Sequence, residues 1–128
     1  MKHLKNILVP LFVTLTLGCN EEKVRHQENS IFGKWSLIRY EAGFSPTEDF
    51  SNGEVIWLFK QPNKLKVETH NTMSSPIKLI GEYEFSLNKN IINIDNSKYD
   101  FLITENTLVI SNDPSADGFI ATFSKVNQ

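Results

Sequence analysis

Strict alternation of apolar and polar residues is the clearest pattern along this chain. In residues 81–87, Tyr83, Phe85 and Leu87 alternate with polar neighbours. Successive side chains of a β-strand point to opposite faces, so this period of two is typical of a strand with one face in a core and the other in water. The pattern therefore predicts a half-buried strand.

Similar short runs, separated by turn-forming residues, divide the chain into about eight strands. The predicted strands are residues 33–40, 54–60, 64–68, 81–87, 91–94, 99–104, 107–111 and 118–125. No interval has convincing helical periodicity, and the short connections favour antiparallel pairing because a parallel crossover needs a dozen or more residues. Eight strands can close around side chains or one small ligand, which removes exposed edges. We therefore predict an all-β, antiparallel up-and-down meander closed as a barrel, with an open sandwich as the alternative.

The first predicted strand begins with Gly33, Lys34 and Trp35. A Gly-x-Trp sequence that opens an all-β domain is similar to the lipocalin signature, and more closely resembles the small lipocalin-like domains of bacterial lipoproteins. The resemblance covers residues 31–126 and implies a fold and a location, but no particular ligand. Lipocalins are longer and carry a helix after the last strand, so the resemblance does not imply a large calyx.

A short apolar run near the N-terminus predicts an export signal. Lys2 and Lys5 precede residues 7–17, and a run of about eleven residues is too short to span a membrane. Gly18 then precedes Cys19, the only cysteine of the chain, and this pair resembles the site at which bacterial lipoproteins are cleaved and lipidated. We expect residues 1–18 to be a signal peptide and Cys19 to carry the membrane anchor. A secreted or unprocessed protein without an anchor is the alternative.

Residues 19–30 follow the cleavage site and are almost entirely polar, which predicts a flexible tether before a barrel domain at residues 31–128. Glu21 and Glu22 resemble acidic signals that some Gram-negative bacteria use to send lipoproteins to the outer leaflet of the outer membrane. A merely solvated linker explains them equally well. The expected location is the cell envelope, with the protein lipid-anchored in the outer membrane on its periplasmic or surface face.

Composition limits the partners and the chemistry. Hydrophobic residues make up 40% and charged residues 22% of the chain, which is typical of a globular domain. The formal net charge of −2 and the lack of a basic stripe argue against a nucleic-acid partner. His70 is the one histidine in the predicted domain, and no metal-ligand spacing or phosphate loop accompanies it. We predict no enzyme activity, no metal and no cofactor.

The remaining candidates are mostly large apolar side chains that alternation or loop position brings to the barrel interior or mouth. The candidate ligand-binding residues are Trp35, Arg39, Phe44, Phe50, Trp57, Phe59, Tyr83, Phe85, Tyr99 and Phe123. These rings either fill the barrel or line a small apolar cavity. Phe44 and Phe50 lie in a long loop, residues 41–53, that either covers the mouth or staples itself to the barrel. Alternation carries Arg39 inward, where it would receive an anionic head group unless it reaches back to solvent.

Two functions follow from these observations. In the first, the anchored barrel binds or shields a small apolar ligand at the cell envelope. In the second, the barrel is only a scaffold, and the loops at residues 41–53 and 70–76 contact another protein or a glycan.

Overall fold

The computed structural model describes residues 30–70, 74–113 and 117–127. The predicted signal peptide, Cys19 and the tether up to residue 29 lie outside the described residues. The described part contains strands and no helix, and therefore no helix that could cross a membrane.

Nine strands form a single antiparallel sheet. They are β1 (Gly33–Ala42), β2 (Glu48–Asp49), β3 (Val55–Lys60), β4 (Lys64–Thr69), β5 (Gly81–Asn88), β6 (Ile91–Ile94), β7 (Ser97–Thr104), β8 (Thr107–Ser111) and β9 (Phe119–Lys125). The predicted strands match these closely, because each has one apolar face that must be buried. The two-residue β2 is the one strand that the pattern did not predict.

The sheet closes on itself. Sequential strands from β3 to β9 pair in order, β1 pairs with β3, and β1 also pairs with β9, so that Leu37 lies opposite Phe123. The prediction of a closed, eight-stranded, up-and-down barrel is confirmed, and the open sandwich is excluded. Closure leaves neither β1 nor β9 as a free edge.

Strand β1 has three partners. Its first half pairs with β3 through Ser36 and Ile56, while its second half pairs with β2 through Arg39 and Asp49. Its other edge pairs with β9 along nearly its whole length. The short β2 therefore pairs with the part of β1 that extends beyond β3.

The antiparallel order gives the barrel two different ends. One, the terminus end, holds residues 30–34 and 125–127 and the tight turns at residues 61–63, 89–90 and 105–106. The opposite, or loop, end holds residues 43–54, the connection from β4 to β5, the turn at residues 95–96 and the connection from β8 to β9. The longer connections therefore gather at one end, where residues for recognition commonly occur.

One continuous apolar core fills the barrel. Its largest fully buried members are Trp35, Trp57, Phe59 and Phe123. The described core residues run from Ile31 to Phe123. A chain without its first nineteen residues therefore retains the described core.

Candidate functional site

The structure buries seven of the ten candidate residues in the core: Phe50 and Tyr99 are 9% exposed, and the other five are more deeply buried. These five are Trp35, Trp57, Phe59, Phe85 and Phe123, and each is at most 6% exposed. The ring of Trp57 lies 4.9 Å from that of Phe123, and Phe59 meets Phe85 edge to face at 5.1 Å between centroids. Rings at these separations are in contact. The central part of the interior is therefore occupied by side chains.

The two indole groups of the interior differ in their hydrogen bonding. Trp35 Nε1 donates to the carbonyl oxygen of Ile31 at 2.7 Å. Trp57 Nε1 is buried and has no acceptor. A buried donor without a partner is rare and costs stability unless a water or a ligand supplies an acceptor. Trp57 Nε1 is thus a buried donor of the described core that lacks an acceptor.

Arg39 does not point into the barrel. The pairing of β1 with β9 shifts between Leu37 and Arg39, and Ile38 is the extra residue of this bulge. The bulge reverses the alternation, so Arg39 is exposed and its Nε lies 2.9 Å from Asp49 Oδ1. That hydrogen bond raises the pKa of Arg39. The inward placement predicted from alternation is wrong, whereas the solvent-facing alternative fits.

The two phenylalanines of the first loop have different positions. Phe50 is buried in the core, and its N–H donates to the carbonyl of Ile38 at 3.0 Å. The N–H of Gly53 donates to Ser36 Oγ at 2.8 Å and pins the same segment to β1. Phe50 therefore staples the loop to the barrel. Phe44 is fully exposed and covers no cavity.

A cluster of aromatic rings lies closer to the loop end. Tyr40 stacks on Phe119 at 5.6 Å, and Phe119 contacts Tyr99 at 5.7 Å. Desolvation, with a smaller contribution from Glu48, raises the pKa of the half-buried Tyr40. The cluster joins strands β1, β9 and β7 at the mouth of the barrel.

Residues 74–80, which we name the mouth strap, lead into β5 at this end. Ile77 packs against the core, and Lys78 Nζ lies 5.6 Å and 5.9 Å from the ring centres of Tyr83 and Tyr99. Tyr83 Oη donates to the carbonyl oxygen of Leu79 at 2.7 Å. The strap is thus held to the barrel by side-chain contacts. The ammonium group of Lys78 makes cation–π contacts with the rings of both Tyr83 and Tyr99.

The backbone of the mouth strap turns sharply at Ile77. Ile77 has a φ of 75°, and the N–H of Lys78 donates to the carbonyl of Pro76 at 2.9 Å. Together these features form a γ-turn, a conformation that is strained for a β-branched residue. The tertiary contact of the Ile77 side chain with the core holds this turn in place.

Three large apolar side chains are exposed at the loop end. Phe44 is fully exposed, and Leu79 and Ile80 are 70% and 62% exposed. A hollow of about 260 Å³ lies beside the turn that carries Phe44, between the end of β1 and the start of β9. Its walls include Glu41, Thr47 and Ile120. An exposed apolar side chain such as Phe44 beside a polar hollow is typical of recognition surfaces.

A second hollow of about 310 Å³ lies on the wall, where β5 leaves β4 and joins β6. Asn63, Ser86 and Asn96 line it together with Glu84 and Asp95. Glu84 is exposed and bonded to Lys64 at 3.1 Å. In the part of the chain that the structure describes, no group of three histidine, cysteine, aspartate or glutamate side chains could hold a metal ion.

The loop end is rich in carboxylates. The acidic residues within its connections or within two residues of its strand ends are Glu41, Glu48, Asp49, Glu54, Glu68, Glu82, Asp95, Asp113 and Asp117. Lys78 and Lys98 are the lysines in the same described region, and two of the carboxylates are paired with a cation, Asp49 with Arg39 and Glu68 with Lys66. Carboxylates therefore outnumber cations at the described part of the loop end, the end that also carries the exposed apolar side chains.

The chain shares its fold with a protein from Bacteroides eggerthii. The crystal structure of this uncharacterized protein from strain DSM 20697 matches with a TM-score of 0.57 and 11% sequence identity. The match covers 76% of this chain and 100% of that chain. At this identity the similarity shows the fold alone. No protein-family model matches the chain, and no curated protein matches it.

Sequence reasoning missed the mouth strap and the ring cluster at Tyr40 and Phe119. The pair Leu79 and Ile80, two apolar residues directly before a predicted strand, was the available signal for an exposed apolar segment. The contact of Lys78 with two rings had no signal, because it joins residues from three separate segments.

Proposed function

We propose that this protein is an envelope lipoprotein with a lipocalin-like barrel whose loop end binds a partner protein or a glycan. One contrast carries the proposal. The barrel interior is filled by fully buried rings, while Phe44, Leu79 and Ile80 are exposed at the loop end. In this proposal the loops between strands at the loop end bind the partner, and the barrel holds these loops in place.

The direction of the chain places the loop end opposite the point at which the tether joins the barrel. Residue 30 enters the barrel at the terminus end, opposite the loop end. A tether of eleven residues between Cys19 and the barrel reaches at most about 40 Å. In a protein anchored through Cys19, this tether would allow the loop end to face away from the membrane, although it would not by itself fix the orientation of the barrel.

Replacement of Cys19 tests the anchor. Cys19→Ala should abolish fatty-acid incorporation, because Cys19 is the only cysteine of the chain. Without its acyl chains the protein should leave the membrane fraction. Asn20→Ala is the matched control and should remain labelled and membrane-bound. The lipoprotein assignment is wrong if the wild type takes up no labelled fatty acid and the alanine variant still sediments with membranes.

Replacement of the exposed apolar residues tests the loop end. We expect the wild type to form cross-links to a partner protein in intact cells or to give signals on a glycan array. The triple variant Phe44→Ser, Leu79→Ser and Ile80→Ser should lose them. Leu102→Ser removes a side chain that is 63% exposed on the wall of β7, and it should leave both readouts unchanged. Equal results for the two variants would refute a role of the loop end.

A small apolar ligand is the second candidate, and Trp57 favours it. Its buried, unpartnered Nε1 would donate to an acceptor atom of such a ligand. Titration with fatty acids, sterols and aromatic probes should then change the tryptophan emission of the wild type, and Trp57→Phe should weaken the response. An unchanged emission across the panel would remove this candidate.

A further inference from the structure

The terminus end of the barrel is basic, although the whole protein carries a formal net charge of −2. The charged residues in the described turns of this end, or within two residues of its strand ends, are Lys34, Lys60, Lys64, Lys66, Lys89, Lys125 and Glu105, and Lys66 is paired with Glu68. They come from four separate strands and two turns, so closure of the barrel is what gathers them. No single stretch of the sequence contains this patch.

Local contacts leave most of this charge available. Lys64 bonds to Glu84 at 3.1 Å, but both side chains are about half exposed or more and remain hydrated. Lys125 lies 5.7 Å from the ring centre of Trp35, a contact that retains its charge. Lys60 and Lys89 are exposed at the rim.

The charges of the barrel are therefore polarised along its axis, with lysines at the terminus end and carboxylates at the loop end. A planar negative surface attracts the first end and repels the second. Leu87 adds an apolar side chain, 44% exposed, at the end of β5 and two residues before Lys89. Lysines and an exposed leucine at the same end of the barrel match the chemistry of a lipid interface, where cations meet phosphates and apolar groups enter the acyl boundary.

We propose that the terminus end docks on anionic lipid headgroups, with its lysines facing the headgroup phosphates. The chain also enters the barrel at this end, so a membrane that holds the preceding residues would lie against the same surface. The docking holds the barrel upright and turns the loop end outward. It depends on the folded barrel and not on lipidation of Cys19.

Vesicle binding by residues 20–128 tests the proposal without an anchor, because this chain retains the described core. Vesicles of phosphatidylcholine and phosphatidylglycerol should bind it at about 50 mM salt and release it at about 500 mM, where screening is strong. Vesicles of phosphatidylcholine alone should not bind it.

Two matched variants locate the binding surface. Lys60→Glu reverses a charge at the terminus end, and Lys98→Glu makes the same change near the loop end; both side chains are exposed. Lys60→Glu should weaken vesicle binding by about fivefold or more, since one lysine at an anionic surface contributes about 1 kcal/mol. Lys98→Glu should leave it within twofold, and both variants should keep the wild-type circular dichroism spectrum.

Three results would overturn the proposal. The first is no binding to the anionic vesicles at low salt. The second is an equal loss from the two variants, which would show an effect of net charge alone. The third is binding to double-stranded DNA as tight as to the vesicles, which would make the patch a general polyanion site. Because the chain lacks Cys19, the result is separate from the test of the anchor.

Discussion

Trp35 and Trp57 are two fully buried indoles that lie opposite each other on β1 and β3 and differ in one hydrogen bond. Trp35→Phe would leave the carbonyl of Ile31 without its donor, whereas Trp57→Phe removes a donor that has no acceptor. An orphaned buried polar group costs about 1–3 kcal/mol. We therefore expect Trp35→Phe to be more destabilising than Trp57→Phe by at least about 1 kcal/mol in urea unfolding.

The matched ring replacement is the control for lost volume in this comparison, since both variants exchange an indole for a phenyl group. Equal destabilisation by the two changes would contradict the role given to the Trp35 hydrogen bond. Greater damage from Trp57→Phe would show that Trp57 Nε1 has an acceptor in solution, such as a buried water.

Ile77 combines a partly buried side chain, packed against the core, with a backbone conformation that is unfavourable for a β-branched residue. Ile77→Ala removes the packing and keeps the strain, while Ile77→Gly removes both. Since glycine adopts positive φ at little cost, the glycine variant should be more stable than the alanine variant by about 1 kcal/mol in thermal or urea unfolding. The reverse order, which is usual in strands and helices, would show that the γ-turn is not maintained.

At the scale of the single residue, alternation predicted the burial of Trp35, Trp57 and Phe59 because an apolar side chain in a strand has one stable face. It failed at Arg39, since one extra residue in a bulge turns every later side chain to the opposite face. Nothing in the local sequence marks Ile38 as that residue. The bulge forms where β1 meets β9, which is a contact between distant segments.

At the scale of the element, β4 carries a charge pair on its outer surface. Lys66 Nζ lies 2.8 Å from Glu68 Oε1, and this hydrogen bond lowers the pKa of Glu68 below its usual value. A carboxyl group whose pKa is lower in the folded state stabilises the protein above its unfolded pKa, and this contribution disappears as the pH falls through the folded pKa. Both side chains are partly exposed and the pair is screened by solvent, so the contribution is small.

Glu68→Gln should accordingly lower the free energy of unfolding slightly at pH 7 and leave it unchanged at a pH well below the titration of Glu68. Urea unfolding of both proteins at the two pH values measures the difference. Glu82→Gln, on the neighbouring strand, is the control for the hydrogen bond itself, because Glu82 lies opposite Lys66 and its charge also raises the pKa of that lysine, but it forms no salt bridge in the described structure. A deficit that persists in acid would mean that Glu68 acts through packing and not through its charge.

Strand prediction succeeded in this chain because turn formers separate short runs of alternating residues, and each run could be read locally. The mouth strap could not be predicted in this way. Its position depends on the packing of Ile77 against the core and on the contacts of Lys78 with rings of β5 and β7. Such contacts have no periodic signal, and so the sequence indicated the loop end as the functional region but not its arrangement.

At the scale of the whole molecule, the closure of the barrel depends on β9, which pairs with both β1 and β8. A chain that ends at residue 118 would lack Ala121 and Phe123 from the core and would expose two strand edges. We expect it to aggregate or remain unfolded, as judged by circular dichroism and sedimentation. A chain that ends at residue 125 retains all of β9 and should fold; failure of that control would show that the final residues are also needed.

The pairing of the first strand with the last has a consequence for the timing of folding. Every other neighbouring pair of the barrel forms between segments that are close in sequence, but β1 and β9 can meet only when the whole chain is present. Contacts of such long sequence separation slow folding, and they prevent completion of the barrel while the chain is still emerging. We propose that this chain is exported, and for export such a delay is useful because an unfolded polypeptide can be translocated across a membrane. Pairing of β9 with β1 would then complete the fold after translocation.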